Sequence, residues 1–386
     1  MSNQGTVRLG DVATYLNGYA FKPSDWSDNG LPIIRIQNLT GNDYQTNYYN
    51  KEYNPKYLVK KGDVLISWSA SLGVFVWEKE DALLNQHIFK VIFDKIDVDK
   101  NYFCIAVEYL LKRMGGEVHG STMKHITKPR FDNTLFPLPD KNTQKQISKK
   151  INTTDKLINK YKLITQKLDE LIKSRFVEMF GDPVLNIQKW IKVPMGNYMS
   201  LLTDFSANGS YEYLDSNVVM YSEPNYALMV RTTDLEKNDF NNDVKYIDEK
   251  AYNILSKSKL FGNEIIMNKI GSAGKVYLMP KLNRPASLGR NAFMFRFNSD
   301  INIPFLYYLL TSEYGLFEIQ QHVRGAVTKT ITKDAARSIR IIVPPIELQN
   351  QFADFVTKVE RQKVIVQQSI DKLETLKKSL MQEYFG

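Results

Sequence analysis

Leu168-Asp-Glu-Leu-Ile-Lys-Ser-Arg-Phe-Val-Glu-Met-Phe-Gly181 returns 205 residues later as Leu373-Glu-Thr-Leu-Lys-Lys-Ser-Leu-Met-Gln-Glu-Tyr-Phe-Gly386. The same offset aligns Ile126-Thr-Lys128 with Ile331-Thr-Lys333, Pro139 with Pro344, Gln144 with Gln349, Gln146 with Gln351 and Gly120 with Gly325. Upstream the offset drifts. Lys61-Gly-Asp-Val-Leu-Ile-Ser67 matches Phe261-Gly-Asn-Glu-Ile-Ile-Met267, Arg35 matches Arg231, and Val7-Arg-Leu-Gly10 matches Val193-Pro-Met-Gly196. Solenoid repeats run roughly 20–50 residues. A period this long describes two copies of one two-part module, a variable front followed by a better-matched tail.

The tails read as helices. In the second, Phe352, Val359, Val366, Leu373 and Leu380 recur every seven residues, with Val356, Ile370 and Tyr384 on the intervening turns. A heptad seam sustained this long argues for a coiled coil. In the first, Ile147, Ile151, Ile158, Tyr161, Leu168, Ile172 and Met179 give the same spacing, and a second stripe of Leu157, Ile164 and Leu171 predicts a wider apolar face. Pro344-Pro345 marks a helix start, and Gly181 and Gly386 stand where C-terminal caps belong. The two tails are expected to pair with each other. Antiparallel pairing would put the fronts at opposite ends of a rod, though the seam alone also admits parallel pairing. The fronts carry short strand-like runs, Val64–Ser67, Gly73–Trp77, Ile88–Phe93, Glu264–Met267 and Ala292–Phe297, and one clear helix each, Tyr102–Lys112 and Pro304–Leu310. The expected fold is α+β: two mixed α/β domains in tandem repeat, separated by two long helices pairing as an antiparallel coiled coil. The boundaries read as 1–141, 142–181, 182–346 and 347–386.

Composition narrows the function. The 386 residues include 51 Lys and Arg against 42 Asp and Glu, a net charge of +9. Residues 141–181 carry +6 of that excess, and the front 1–140 is neutral. A basic balance favours an anionic partner. The single cysteine, Cys104, excludes an internal disulfide framework and a Cys-rich zinc site. No apolar run approaches the ~20 residues that span a bilayer, and Met1–Arg8 lacks the basic start and apolar stretch of a secretion signal. No membrane partner and a cytoplasmic location are therefore expected. Catalytic signatures fail in turn. Gly271-Ser-Ala-Gly-Lys275 resembles a phosphate-binding loop, but Lys269 occupies the position of the first glycine and Val276 that of the hydroxyl residue; a hairpin turn is expected. Val343-Pro-Pro-Ile346 lacks the polar and aromatic residues with which an adenine methyltransferase flanks its prolines. His87, His119, His125 and His322 have no metal-ligand spacing. The expectation is a chain that binds rather than catalyses, with no metal or cofactor of its own.

Each front ends in a proline-flanked phrase leading into a Gln-containing helix start, Phe136-Pro-Leu-Pro-Asp-Lys-Asn-Thr-Gln-Lys-Gln-Ile147 and Ile342-Val-Pro-Pro-Ile-Glu-Leu-Gln-Asn-Gln-Phe352. Each helix ends in Lys-Ser and then Phe-Gly. In this order, twice over, the chain resembles the specificity subunit of type I restriction–modification enzymes along essentially its whole length. The first proline phrase departs from the pattern, since Pro-Leu-Pro is followed by Asp-Lys-Asn. The resemblance implies two target-recognition domains, each reading one half of a bipartite site in double-stranded DNA. It also implies helices that fix the gap and bind two modification subunits, which carry S-adenosylmethionine and methylate adenine. Up to two restriction subunits, using ATP and Mg2+, are implied as optional partners. Two other readings stay open: a coiled-coil scaffold that does not read DNA, and a stand-alone nucleic-acid enzyme with unrecognised motifs.

Phosphate contact and base readout call on Arg, Lys, Asn, Gln and Ser held on fixed backbone. Positions matched between the halves give Arg35 and Arg231, Lys124 and Lys329, and Lys128 and Lys333. The Ser/Gly-rich turns contribute Ser69 and Ser71 in one half, Lys269 and Ser272 in the other. Asn85, Gln86 and His87 align with Arg290 and Asn291, and Arg324 opens the second Gly-containing loop. His87 reads equally as a core histidine.

Overall fold

A computed structural model describes residues 5–41, 46–116 and 126–386. Two helices of 40 residues, Lys141–Phe180 and Ile346–Phe385, follow the two fronts. The chain divides into two compact units, and each takes half of both helices: residues 1–162 with 367–386, and residues 163–366.

Within each unit the helix halves run in opposite directions. In the first, Lys150 Nζ donates to the Tyr384 hydroxyl at 3.3 Å, Lys377 pairs with Asp155 at 2.6 Å and Lys162 with Glu374 at 3.3 Å. In the second, Lys363 pairs with Asp169 at 2.8 Å, and the Phe176 and Phe352 rings meet at 5.4 Å. As one partner's number rises the other's falls, so the pairing is antiparallel. Ile147, Ile151, Ile158, Phe352 and Val359 are buried; Tyr161, Leu168, Val366, Leu373 and Leu380 are half-buried. The wider face is corrected: Leu157 and Leu171 are 40% and 47% exposed. One antiparallel partner covers only a narrow seam, so a stripe displaced around the helix stays in solvent.

Both units repeat one sheet plan. In the first, the strands Thr14–Asn17, Ile88–Ile92, Val64–Ser67 and Gly73–Val76 form an antiparallel sheet in that order. A second sheet orders Tyr48–Tyr49, Leu31–Ile34, Ala82–Leu84 and Leu58–Val59, with its central pair parallel. The second unit repeats both, with Met199–Asp204, Ala292–Phe297, Ile265–Asn268 and Val276–Leu278 in one and Lys245–Ile247, Ala227–Val230, Ala286–Leu288 and Lys259–Leu260 in the other. A two-stranded ribbon precedes each long helix, Thr6–Arg8 with Leu135–Pro137 and Ile191–Pro194 with Arg340–Val343. The alternation of buried apolar and turn residues explains strands this short.

The repeated glutamines lock the helix starts. Gln144 Nε2 donates to the Pro139 carbonyl at 2.7 Å, and its Oε1 accepts from the Asp99 amide at 2.8 Å. Gln349 does the same with the Pro344 carbonyl at 2.8 Å and the Asn302 amide at 2.9 Å. Asp99 and Asn302 in turn cap the helices Lys100–Gly116 and Ile303–Thr311 by accepting from the Tyr102 and Phe305 amides. Both glutamines are buried, so each bonds to the two groups that would otherwise be left unsatisfied. The phenylalanines of the repeated Phe-Gly endings seat in aromatic clusters. Phe385 lies 5.5 Å from Tyr102, and Phe180 lies 4.7 Å from Phe305 and 5.5 Å from Phe352. Gly181, at φ +72°, then turns the chain out of the helix.

Truncating a fully buried aromatic costs about 3–5 kcal/mol. Phe385→Ala is predicted to lower the stability of the first unit by that order, and the exposed Val364→Ala by under about 0.5 kcal/mol. Urea denaturation of the whole chain checks the contrast; equal midpoints for the two variants would remove the seating role of Phe385.

Candidate nucleic-acid interface

Most of the described residues singled out in the sequence lie at strand ends, helix starts and loops that the backbone draws together, and it does so in the same way in both units. In the first, the Asn85 amide donates to the Ile34 carbonyl at 3.3 Å, which sets Asn85 beside Arg35. The Trp68 amide donates to the His87 carbonyl at 3.5 Å, and the Ile126 amide to the Trp68 carbonyl at 3.0 Å. Ser69, Asn85, Gln86, His87 and Lys128 therefore share one edge. In the second unit, the Gly289 amide donates to the Val230 carbonyl at 2.7 Å, Lys269 to Asn291 at 2.8 Å and Ile331 to Lys269 at 3.0 Å. These bonds are the counterparts of the first three and gather Arg231, Arg290, Asn291, Lys269 and Lys333. A Cβ on Gly289 would meet the Val230 oxygen at 2.9 Å, and the counterpart bond from Asn85, which carries a Cβ, is longer, at 3.3 Å against 2.7 Å. The Gly271 amide, donating to the Lys329 carbonyl at 3.0 Å, adds the exposed Arg324–Lys329 loop and Ser272. The Gly271–Lys275 segment is a hairpin turn between Ile265–Asn268 and Val276–Leu278, as its sequence predicts.

The individual side chains differ in how far they are committed. Arg35 and Arg231 occupy equivalent helix N-caps, where their amides donate to Asn38 at 3.0 Å and Asp234 at 2.8 Å. The Arg231 guanidinium is bonded to the buried Asp234 carboxylate, 2.7 Å from Nη2, and to the Asp243 carbonyl. Arg35 instead lies over the Trp26 ring, 4.4 Å from its centroid. His87 is exposed in the left-handed region, at φ +73°, with its ring 5.1 Å from Trp68, and is not a core residue. Lys128 pairs with Asp132 at 2.6 Å. Ser71 and Lys329 are exposed, and Ser69 accepts a bond from Ser67 Oγ through its carbonyl. Arg324 Nη1 donates to the Gln321 carbonyl at 2.8 Å, and Ser272 Oγ accepts from Asn268 at 2.6 Å. Lys124 lies outside the described residues.

Sequence reasoning missed Asp204. This residue, 4% exposed at the end of Met199–Asp204, holds Lys269 and Lys333, both at 2.9 Å, and accepts from Ser206 Oγ at 2.7 Å. Burial alone would raise its carboxyl, but hydrogen bonds from Lys333, Lys269 and Ser206 outweigh burial and hold it at about 2. Its signal was thin: an aspartate at a strand end pairs with lysines 65 and 129 residues away. The arrangement aligns two ammonium groups side by side with a single buried counter-charge, leaving a net positive spot on the edge. Among the described residues, no group of three or more His, Cys, Asp or Glu side chains is placed to hold a metal ion, and no helix is long and apolar enough to cross a membrane.

Two copies of one α+β unit, each tied by antiparallel helix halves and each bringing Arg, Lys and Asn to one edge, define a duplicated binding protein. A family model described as the type I restriction modification DNA specificity domain matches residues 1–172 and again 191–375, and the chain belongs to that family. It is similar to the EcoBI specificity subunit of Escherichia coli, 23% identical over 381 residues, which span 92% of this chain and 78% of the relative. It is also similar to the MjaVIII specificity subunit of Methanocaldococcus jannaschii, 24% identical over 390 residues, 97% of this chain and 90% of the relative. The fold matches the crystal structure of the type I restriction–modification S subunit from M. genitalium, with a TM-score of 0.54 at 13% identity, covering 100% of this chain and 97% of that one. A chain from a structure of type I system assembly and conformational transition matches with a TM-score of 0.61 at 13% identity, covering 100% and 98%.

A carboxyl depressed to about 2 stabilises the fold above its unfolded value near 4, and the contribution is lost as pH falls from there toward 2. Asp204→Asn is predicted to cost about 2 kcal/mol at pH 7 and to flatten stability over that acid window. Urea titrations of both proteins at pH 7, 4 and 2.5 test it. A wild-type-minus-variant difference that does not shrink with acid would contradict the pairing.

Proposed function

We propose that this chain is the non-catalytic DNA-reading component of its restriction–modification complex, and that its two units each read one half of a bipartite site. The supporting observation is the duplicated edge: the same three backbone hydrogen bonds gather readout-capable side chains in each unit. The gathered residues differ, so the two words differ. Gln86 and His87 in the first unit stand where Arg290 and Asn291 stand in the second. Arg and Lys suit guanine and phosphate; Asn and Gln suit adenine. The long helices set the number of unread base pairs between the words and carry the faces on which two modification subunits dock. Those faces include exposed apolar residues, Leu157, Leu171, Val364, Ile365 and Leu376. Methyl transfer with S-adenosylmethionine, and any ATP- and Mg2+-dependent cleavage, reside on the partner subunits.

A base-resolution methylation map of a host expressing this chain with its cognate modification subunit, set against the same host without this chain, tests the reading. The expected result is a new two-part motif with a fixed gap and methylated adenine on both strands. An assembled complex that adds no motif would favour a scaffold. A four-residue insertion in either long helix adds about 6 Å and is predicted to lengthen the gap by one or two base pairs, at roughly 3.4 Å each. An unchanged gap would sink the ruler role.

A further inference from the structure

On the second unit's edge, Arg290 is held by a carboxylate, a hydroxyl and two aromatic rings. Its Nη1 donates to the Tyr211 hydroxyl at 3.1 Å, and its Nη2 bonds to the Asp215 carboxylate. The guanidinium carbon lies 5.1 Å from the centroids of both the Phe205 and Tyr211 rings. Arg231, by contrast, gives its fork to a buried aspartate and a backbone carbonyl and is consumed in capping its helix. A guanidinium offers five N–H donors. Asp215 and Tyr211 take two of Arg290's, which leaves three without a protein partner among the described residues. Beside it opens a cavity of about 340 Å³ with Phe205, Val218, Met220, Met229 and Arg290 among its walls.

An arginine that only meets phosphate needs a charge and a flexible stem. One clamped by a carboxylate and two rings has already lost much of its rotamer freedom, so its remaining N–H groups on Nη1, Nη2 and Nε are held in place at little further entropic cost. That is the geometry guanine requires, since O6 and N7 in the major groove accept two parallel bonds from one guanidinium. Resting on the bipartite reading above, we propose that Arg290 reads a guanine in the second unit's half-site, with Asp215 and Tyr211 as the residues that position its fork. The counterpart in the first unit is Gln86, which has no such fork, so the requirement belongs to one word only.

The test is methylation mapping of hosts that carry the full chain with its modification subunit, as wild type and as Arg290→Ala, Arg290→Lys, Asp215→Asn and Tyr211→Phe. The wild-type motif should contain a G·C pair in one word. Arg290→Ala and Arg290→Lys should relax discrimination at that pair by roughly tenfold or more, leaving the other word unchanged. Asp215→Asn and Tyr211→Phe should relax the same pair less. Should the alanine variant fail to fold, Asp215→Asn and Arg290→Lys still carry the test. A word without a relaxed G·C pair overturns the proposal, as does a uniform loss over all sequences that lysine restores, which marks a phosphate contact. Both of those results leave the bipartite reading standing. A wild-type map with no two-part motif overturns that reading and this proposal together.

Discussion

The fold depends on a reciprocal exchange. Each long helix starts on a ribbon of one unit and ends with a phenylalanine buried in the core of the other, Phe180 against Phe305 and Phe352, Phe385 against Tyr102. The ion pairs along the antiparallel seam add register more than stability. Lys377–Asp155 and Lys162–Glu374 are solvated, and exposed pairs are worth about 0–1 kcal/mol. The seated aromatics and the two buried glutamines stabilise the fold more, because each loses its partners completely if the helix slips. A helix start fixed by Gln144 or Gln349 also fixes the ribbon and the capped helix bonded to it, so a displacement at either end propagates into a whole unit.

How much was legible follows from where the information sits. The repeat, the heptad seam and the strand runs were readable because they are local patterns. The strand Val64–Ser67 and the strand Ala292–Phe297 fall where short apolar runs bounded by Gly, Asn, Ser and Asp put them. The stripe through Leu157 and Leu171 misled because a seam's width depends on how many helices cover it, a property of the partner and not of the segment. Asp204 was invisible for the same reason. Nothing near residue 204 announces two lysines that only the folded sheet delivers. His87 is exposed and its backbone is left-handed, neither of which composition reveals.

On the candidate edge the sequence does not show how the cations are paired. Arg231, Arg290, Lys269 and Lys333 are each tied to a carboxylate from within their unit, where sequence alone describes free surface charge. Pairing changes what such a group can do. A free lysine supplies attraction that salt screens. A paired one supplies direction, since its remaining donors point where the partner carboxylate leaves them.

The two edges use one frame for different chemistry. Where the second unit has Lys269, the first has Trp68, stacked on Phe89 at 5.5 Å and set against His87. Where Lys333 reaches Asp204, Lys128 instead bonds within its own helix and lies over the Tyr15 and Phe89 rings at 5.9 and 5.8 Å. The backbone bonds that gather these positions are unchanged. Because the gathering is done by main-chain amides and carbonyls, the side chains on the edge are free to diverge without disturbing the strands that present them. The glutamine locks and the seated phenylalanines have no such freedom, since each side chain there makes the contact itself. This division explains why the side chains of the two edges differ while the backbone that presents them matches.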